Sequence, residues 1–370
     1  MNDRFDDIRP YTDAELPAAM QRIVSSEYFP AVVNYIYPGS KVEDIQQYLL
    51  SIKTIEDFQL HVMYDVTRRI IDNSIEEFTF DGFDALDRSQ AYLFVSNHRD
   101  IMLDSLLLQY ALYCNNMTTS EITFGENLMK PSFVVDIGKC NKMFKVYRSG
   151  SMREFMEHSQ LLSDYIRDRI VNRNTSIWIA QRNGRTKNGL DATDQGLSKM
   201  FSMSSDKSLK SYQDLHIAPM SISYEIEPCD GFKAQELYVT KMMGSYTKQP
   251  GEDLNSVLTG IQQPKGRVHL SIAPPITLKD FEEYGEVAPN QAHKVLTDII
   301  NKRIKSHYKL FPNNYIAYDM RSGGNKYAAE YNVQQKEWFE EHFRMVLAGL
   351  PEEKEELESI FLDIYANSVD

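Results

Sequence analysis

The tract Ser96-Asn97-His98-Arg99-Asp100, with Asp104 just beyond it, gathers an imidazole and two carboxylates within a few residues. It follows directly on the apolar run Tyr92-Leu93-Phe94-Val95 and precedes a helical apolar segment from Ile101 to about Tyr113. A short apolar run bounded by polar residues reads as a buried strand. Ligand and catalytic residues gather at the carboxyl ends of strands in α/β sheets. His98 therefore stands where a strand would deliver a general base, with Asp100 and Asp104 both available to orient it. A histidine at a strand end before a capping Asp also occurs without chemistry, so the other polar tracts decide the reading.

Three more tracts follow apolar runs. Gln181-Arg182-Asn183-Gly184-Arg185-Thr186-Lys187-Asn188-Gly189 comes straight after Ile177-Trp178-Ile179-Ala180. Its two glycines allow close backbone approach to a ligand, and its three cations suit an anion, Arg binding phosphate in bidentate fashion and Lys as a point charge. Lys142 to Gly150 is a basic apolar segment running into a helix cap, and Ile217 to Glu225 is a strand containing Pro219. No Gly-x-x-x-x-Gly-Lys-Ser/Thr exists, so the glycine loop is not a Walker loop. His98-Arg99-Asp100 is not a kinase catalytic loop, because Asp-Phe-Gly and Gly-x-Gly-x-x-Gly are missing and Ser105 stands where the metal-binding Asn belongs. No second histidine cluster accompanies His98, and cations crowd the neighbouring loops, so no metal site is expected.

The elements that must position these tracts can be read coarsely. Residues 1–74 are expected to be helical, opened by the capping box Thr12-Asp13-Ala14-Glu15. Further helices are expected around Val42–Leu50 and Phe58–Ile71, with an aromatic-rich break at Tyr28-Phe29-Pro30 and Tyr35-Ile36-Tyr37-Pro38-Gly39 between them. Those aromatics are read as packing on the main domain, although aromatics at a lipid interface would look the same. Strand-like runs follow at Phe78–Phe80, Tyr92–Ser96, Phe133–Ile137, Ser176–Ala180, His216–Ser223, Leu237–Thr240 and Arg267–Ile272. Helices separate several of them, the clearest from Ser151 to Val171 behind the capping box Ser151-Met152-Arg153-Glu154. The alternation predicts an α/β domain over 75–312, a mostly parallel central sheet flanked by helices and closed by a helix from Asn290 to Tyr308. Residues 313–370 form a helical C-terminal extension, and Gly244–Lys265 and Arg321–Lys326 read as surface loops.

The 370 residues can bury a large core. Three scattered cysteines, Cys114, Cys140 and Cys229, argue against a disulfide framework or structural zinc and suit a reducing cytoplasm. No secretory signal is expected at the start, and no apolar stretch is long enough to span a membrane. A net charge of -13 speaks against a general nucleic-acid binder. Yet residues 130–210 hold 15 Lys+Arg against 8 Asp+Glu, a local excess that suits an anionic ligand or surface.

Taken in order, the four tracts resemble the glycerolipid acyltransferases, which acylate glycerol-3-phosphate and lysophospholipids. Val95-Ser96-Asn97-His98 with Asp104-Ser105-Leu106-Leu107 is similar to the first block of that family. Phe144-Lys145-Val146-Tyr147-Arg148 is similar to the second, Gly184-Arg185-Thr186-Lys187-Asn188-Gly189 to the third, and Ala218-Pro219-Met220-Ser221-Ile222-Ser223-Tyr224-Glu225 to the fourth. The likeness spans about Phe78 to Ile276. It implies a glycerol-3-phosphate acyltransferase-like fold and a peripheral protein at the inner face of the cell membrane, with no cofactor. Acyl-CoA or acyl-carrier protein would serve as donor, and glycerol-3-phosphate or a lysophospholipid as acceptor. His98 would be the general base with Asp104 its acid, Asp100 being the alternative. Arg148, Gly184, Arg185 and Lys187 would hold the substrate phosphate, and Asn97, Arg182 and Pro219 would line the pocket.

Two features depart from the family. Its spacing would put the acid at position 103, which is Leu103, and the third block lacks its usual Glu, with Arg182 and Asn183 in that region. A lyso-aminolipid acceptor and a non-catalytic lipid-binding protein on the same fold remain as alternatives.

Overall fold

A computed structural model describes residues 4–288, 290–350 and 354–369. Seven strands form one sheet: β1 Glu77–Asp81, β2 Leu93–Ser96, β3 Glu121–Gly125, β4 Met143–Val146, β5 Ile177–Ala180, β6 Ile217–Tyr224 and β7 Arg267–Ile272. Their spatial order is β1-β7-β6-β2-β5-β3-β4. The five strands from β6 to β4 run parallel. β7 lies antiparallel to β6, and β1 pairs parallel with β7. The sheet is thus mostly parallel and flanked by helices.

β2 sits at the centre, in register with β5 (Ser96 opposite Ala180) and with β6 (Ser96 opposite Met220). Successive side chains of a strand point to opposite faces. Leu93 and Val95 therefore join one core layer, with Ile177, Ile217, Tyr165 and Ile300. Tyr92 and Phe94 join the other, with Leu107, Ala111, Trp178 and Met220. All four β2 residues are buried, as expected of a parallel strand covered on both faces.

Several elements differ from the sequence reading. Phe133–Ile137 is not a strand but part of the helix Ser132–Cys140. An apolar run this short carries no decisive period. Here Phe133 and Cys140 pack into the N-terminal helical cluster. On the sheet side, a Cβ added to Gly138 would stand 2.9 Å from the Phe124 ring. Leu237–Thr240 lies within the helix Asp230–Met243, whose buried Ala234 faces the C-terminal helices. Gly244–Lys265 contains the helix Glu252–Gln262, which turns the small residues Ser256 and Gly260 inward and leaves Leu254 and Leu258 exposed, the reverse of an apolar stripe. The aromatic break holds the helix Phe29–Ile36, with Pro30 in its first turn, where proline is tolerated. The Ser151 capping box is present, Ser151 Oγ accepting from the Glu154 amide and Glu154 from the Ser151 amide.

The C-terminal helices Val333–Ala348 and Lys354–Ala366 share a core with Ile316, Ala234 and Leu357. The last of them reaches the carboxyl edge of the sheet. Asn367 Nδ2 donates to the Asn188 carbonyl at 2.8 Å, and Gly189, at φ +75°, lies so close that an added Cβ would stand 2.4 Å from the Ile364 oxygen. Gly189→Ala is expected to cost roughly 1–3 kcal/mol, seen as a lower urea midpoint. An unchanged midpoint would mean that this helix does not dock where described.

Candidate active site

The chain leaves β2 at Ser96 and enters the helix Leu103–Cys114 after a tight turn. Two carboxylates shape that turn in different ways. Asp100 Oδ1 accepts from the amides of Met102 (2.9 Å) and Leu103 (2.8 Å), satisfying donors left open at the helix start. Asp104, in the first helical turn, points back across the loop. Its Oδ2 receives His98 Nδ1 at 2.9 Å and the amides of Arg99 (2.7 Å) and Asp100 (3.0 Å). Its Oδ1 receives the Tyr224 hydroxyl of β6 at 2.8 Å. The amino end of a helix also favours negative charge. Asp104 is fully buried, and four donors compensate its burial.

Nδ1 of His98 is thereby fixed as the donor to Asp104, while Nε2 bonds to no other described residue. The Trp178 indole meets the imidazole edge-to-face at 5.7 Å between ring centres, and its Nε1 donates to Ser96 Oγ at 3.2 Å. The backbone carbonyl of His98 accepts the Thr186 amide at 2.7 Å, so the glycine loop is fastened to the main chain of the turn that carries the imidazole. A ring with one nitrogen on a buried carboxylate and the other free is the arrangement of a general base.

The remaining sequence candidates fall in two groups. Asp100 is engaged in the helix cap, with Oδ2 sealed beside Gly260, and does not orient His98. Asn97 was expected in the pocket but is fully buried: its amide exchanges two hydrogen bonds with the Ile222 backbone and donates to Asp191 Oδ2 at 3.0 Å, bracing the turn to β6. Pro219, likewise expected there, is buried within β6, its carbonyl receiving the Ala273 amide. Pro219 is held inside a central strand, and Asn97 is turned inward at the end of β2 by its bonds to β6.

Arg148, Arg182, Gly184, Arg185 and Lys187 lie beyond the carboxyl ends of β4 and β5. Arg148 packs its guanidinium over Gly125, where a Cβ would come within 2.7 Å of Nε. Arg182 lines a cavity of about 240 Å³ walled largely by apolar side chains, among them Val146, Phe155, Leu161, Leu162, Ile179 and Met200. Gly184, at φ +76°, has open space before it. Arg185 is nearly buried with Nη1 lacking any acceptor, an exception to the pairing that buried donors normally find. Lys187 pairs with Glu236, and burial pushes its ammonium below the ordinary lysine range.

Sequence reasoning missed Tyr224 as a partner of Asp104, because an aromatic on a strand reads as core. It also missed the charges behind the turn. Arg99, 1% exposed, donates to Asp191 Oδ2 (2.7 Å), Glu227 Oε2 (3.3 Å) and Ser368 Oγ (3.3 Å), and lies over the Tyr308 ring. Lys233 Nζ donates to Glu227 (2.6 Å) and to the Arg99 carbonyl (2.7 Å). Burial opposes the charge on Arg99, but Asp191, Tyr308 and Glu227 outweigh it and hold the guanidinium well above its usual range.

Comparison with known proteins adds little to this geometry. No family model matches the chain, and neither does any curated protein. Among solved structures, a 1-acyl-sn-glycerophosphate (LPA) acyltransferase from Thermotoga maritima is 12% identical, with a TM-score of 0.38, over 79% of this chain and 96% of that one. A likeness that low assigns no chemistry.

Arg99→Met would leave Glu227 and Asp191 buried with Lys233 as their nearest cation. The expected loss is about 3–5 kcal/mol in a denaturation titration. A loss below about 1 kcal/mol would mean that the network does not hold the turn.

Proposed function

We propose that this chain is an O-acyltransferase that moves a fatty acyl group from an acyl-CoA or acyl-carrier-protein thioester to a hydroxyl of glycerol-3-phosphate or a lysophospholipid. The observation that carries the reading is the His98–Asp104 pair, buried on its acid side and free at Nε2. It stands at the carboxyl edge of the same sheet as the nearly buried Arg185, whose Nη1 lacks an acceptor. The apolar cavity beside Arg148 and Arg182 suits an acyl chain whose polar end meets cations. The ordered likeness of the four sequence tracts to the glycerolipid acyltransferases supports the same assignment.

The chemistry follows from the pair. Nε2 of His98 takes the proton of the acceptor hydroxyl as its oxygen attacks the thioester carbonyl carbon. Asp104 stabilises the imidazolium that results. As the tetrahedral adduct collapses, the C–S bond breaks and the departing sulfur receives that proton from Nε2. The acyl group passes directly between substrates, so no acyl-enzyme is required. Arg185, with Arg148, Arg182 and Lys187, would hold the acceptor's phosphate and bring its hydroxyl to His98, a proximity effect.

Among the described residues no helix is long and apolar enough to cross a membrane. Met152, Phe155 and Met156 are well exposed at the start of the helix that borders the cavity. These side chains support contact with a membrane surface, from which a lysophospholipid would enter.

His98→Ala is expected to abolish thiol release from acyl-CoA with the fold intact, and a folded variant with near-normal turnover would overturn the assignment of the base. Asp104→Asn should lower kcat by about 10²–10⁴-fold. Asp100→Asn should cost stability through the lost cap but leave kcat within a few fold; equal losses in the two variants would refute the separate roles given to these carboxylates. Arg185→Met should raise the acceptor KM by about tenfold or more with a smaller change in kcat, and unaltered acceptor kinetics would remove Arg185 from the phosphate site.

A further inference from the structure

The opposite edge of the sheet holds a larger cavity that the proposed reaction does not use. Its volume is about 460 Å³, and it lies where the chain enters β2, β3, β4 and β5, bordered by Arg9–Asp13 and Ile55 of the N-terminal region. That volume is in the range of small-molecule sites. Four cations line it: Arg9, Arg88, Lys142 and Arg169.

Two of the four are matched. Arg9 is paired with Asp6 and Glu15. Arg169 pairs with Glu121 at 3.3 Å, although its Nε, sealed from solvent, meets no acceptor in hydrogen-bonding geometry. The other two are not. Arg88 is exposed and makes no hydrogen bond or ion pair with any described residue. Lys142 is half-buried, and its Nζ has one hydrogen-bond partner, the Thr119 hydroxyl at 2.9 Å. Burial pushes the Lys142 ammonium below its ordinary range, against the pull of Glu121, Glu56 and Asp13. Lys142 also sits at φ +56°, in the left-handed region where glycine or asparagine would be relaxed. Asp13 is the one acid of the lining that no cation pairs, and its Oδ1 is engaged by the Ile55 amide at 2.8 Å.

We infer that this cavity is a second ligand site, for a small phosphate-bearing molecule held by Arg88 and Lys142. An arginine fork takes two phosphate oxygens and a lysine adds a point charge. Thr118, Thr119 and Asn174 supply uncharged polar groups around them. Because the lining joins the N-terminal helical region to four strands, an occupied site would tie the two together and stabilise the folded chain in proportion to ligand.

The test uses inorganic pyrophosphate with the full chain, in calorimetric titration and thermal melting at matched ionic strength. Saturable binding is expected, weakened about tenfold or more by Lys142→Met and by Arg88→Met, retained by Lys142→Arg, and unaffected by Arg185→Met. The last variant separates this site from the proposed catalytic one, whose failure would show in the His98 and Arg185 kinetics instead. Absence of saturable binding would overturn the inference. So would binding that Arg185→Met removes, or binding that neither Lys142→Met nor Arg88→Met weakens. Should Lys142→Met fail to fold, Arg88→Met and Lys142→Arg still decide it.

Discussion

The turn that presents His98 depends on one buried carboxylate finding enough donors. Asp104 is removed from water entirely, and an ionised carboxylate in that position is tolerable only when its lone pairs are used. Two backbone amides, an imidazole and a phenol use them. Three of these donors come from the turn itself, so the same bonds that satisfy the Asp104 oxygens fold the loop that presents His98. Structure and reactivity are therefore not separable here. The hydrogen bond that would activate the base is also one of those that give the turn its shape.

A second layer of charge stands behind the first. Arg99, Asp191, Glu227 and Lys233 form a buried network in which each partner offsets the desolvation of the next. Such networks are poor sources of net stability, since both charges give up their hydration, but losing one member is costly. Ser368 and Asn367 reach this network and the glycine loop from the C-terminal helix. The helical additions are thus joined to the loops that carry the base and the cations, not merely appended to the sheet.

How much of this could be read in advance varied with the physics of each element. β2 was legible because an apolar run stops at a polar cluster, and β5 and β6 for the same reason. β3 and β4 were not, because Glu121 and Lys145 interrupt their apolar character. Glu121 is buried all the same, held by Tyr165 at 2.6 Å and by Arg169. The helix Glu252–Gln262 hid because it packs through a glycine and a serine. His98 stood out by type and position. The choice between Asp100 and Asp104 did not, since it turns on which way amides point in a six-residue turn. Tyr224 and Asp191 gave no signal, being tied to the site by tertiary contact alone.

The pairing of Ser96 with Ala180 and with Met220 has a wider consequence. Side chains alternate along a strand, so a slip of one residue in β2 would turn its whole set to the other face. Leu93 and Val95 would exchange layers with Tyr92 and Phe94, and the imidazole would lose both Asp104 and the Tyr224 hydroxyl behind it. The two core layers, lined by differently shaped side chains, act as a keyed lock on that alignment. Which way the imidazole faces is thereby decided several residues upstream, by apolar side chains buried in the two core layers.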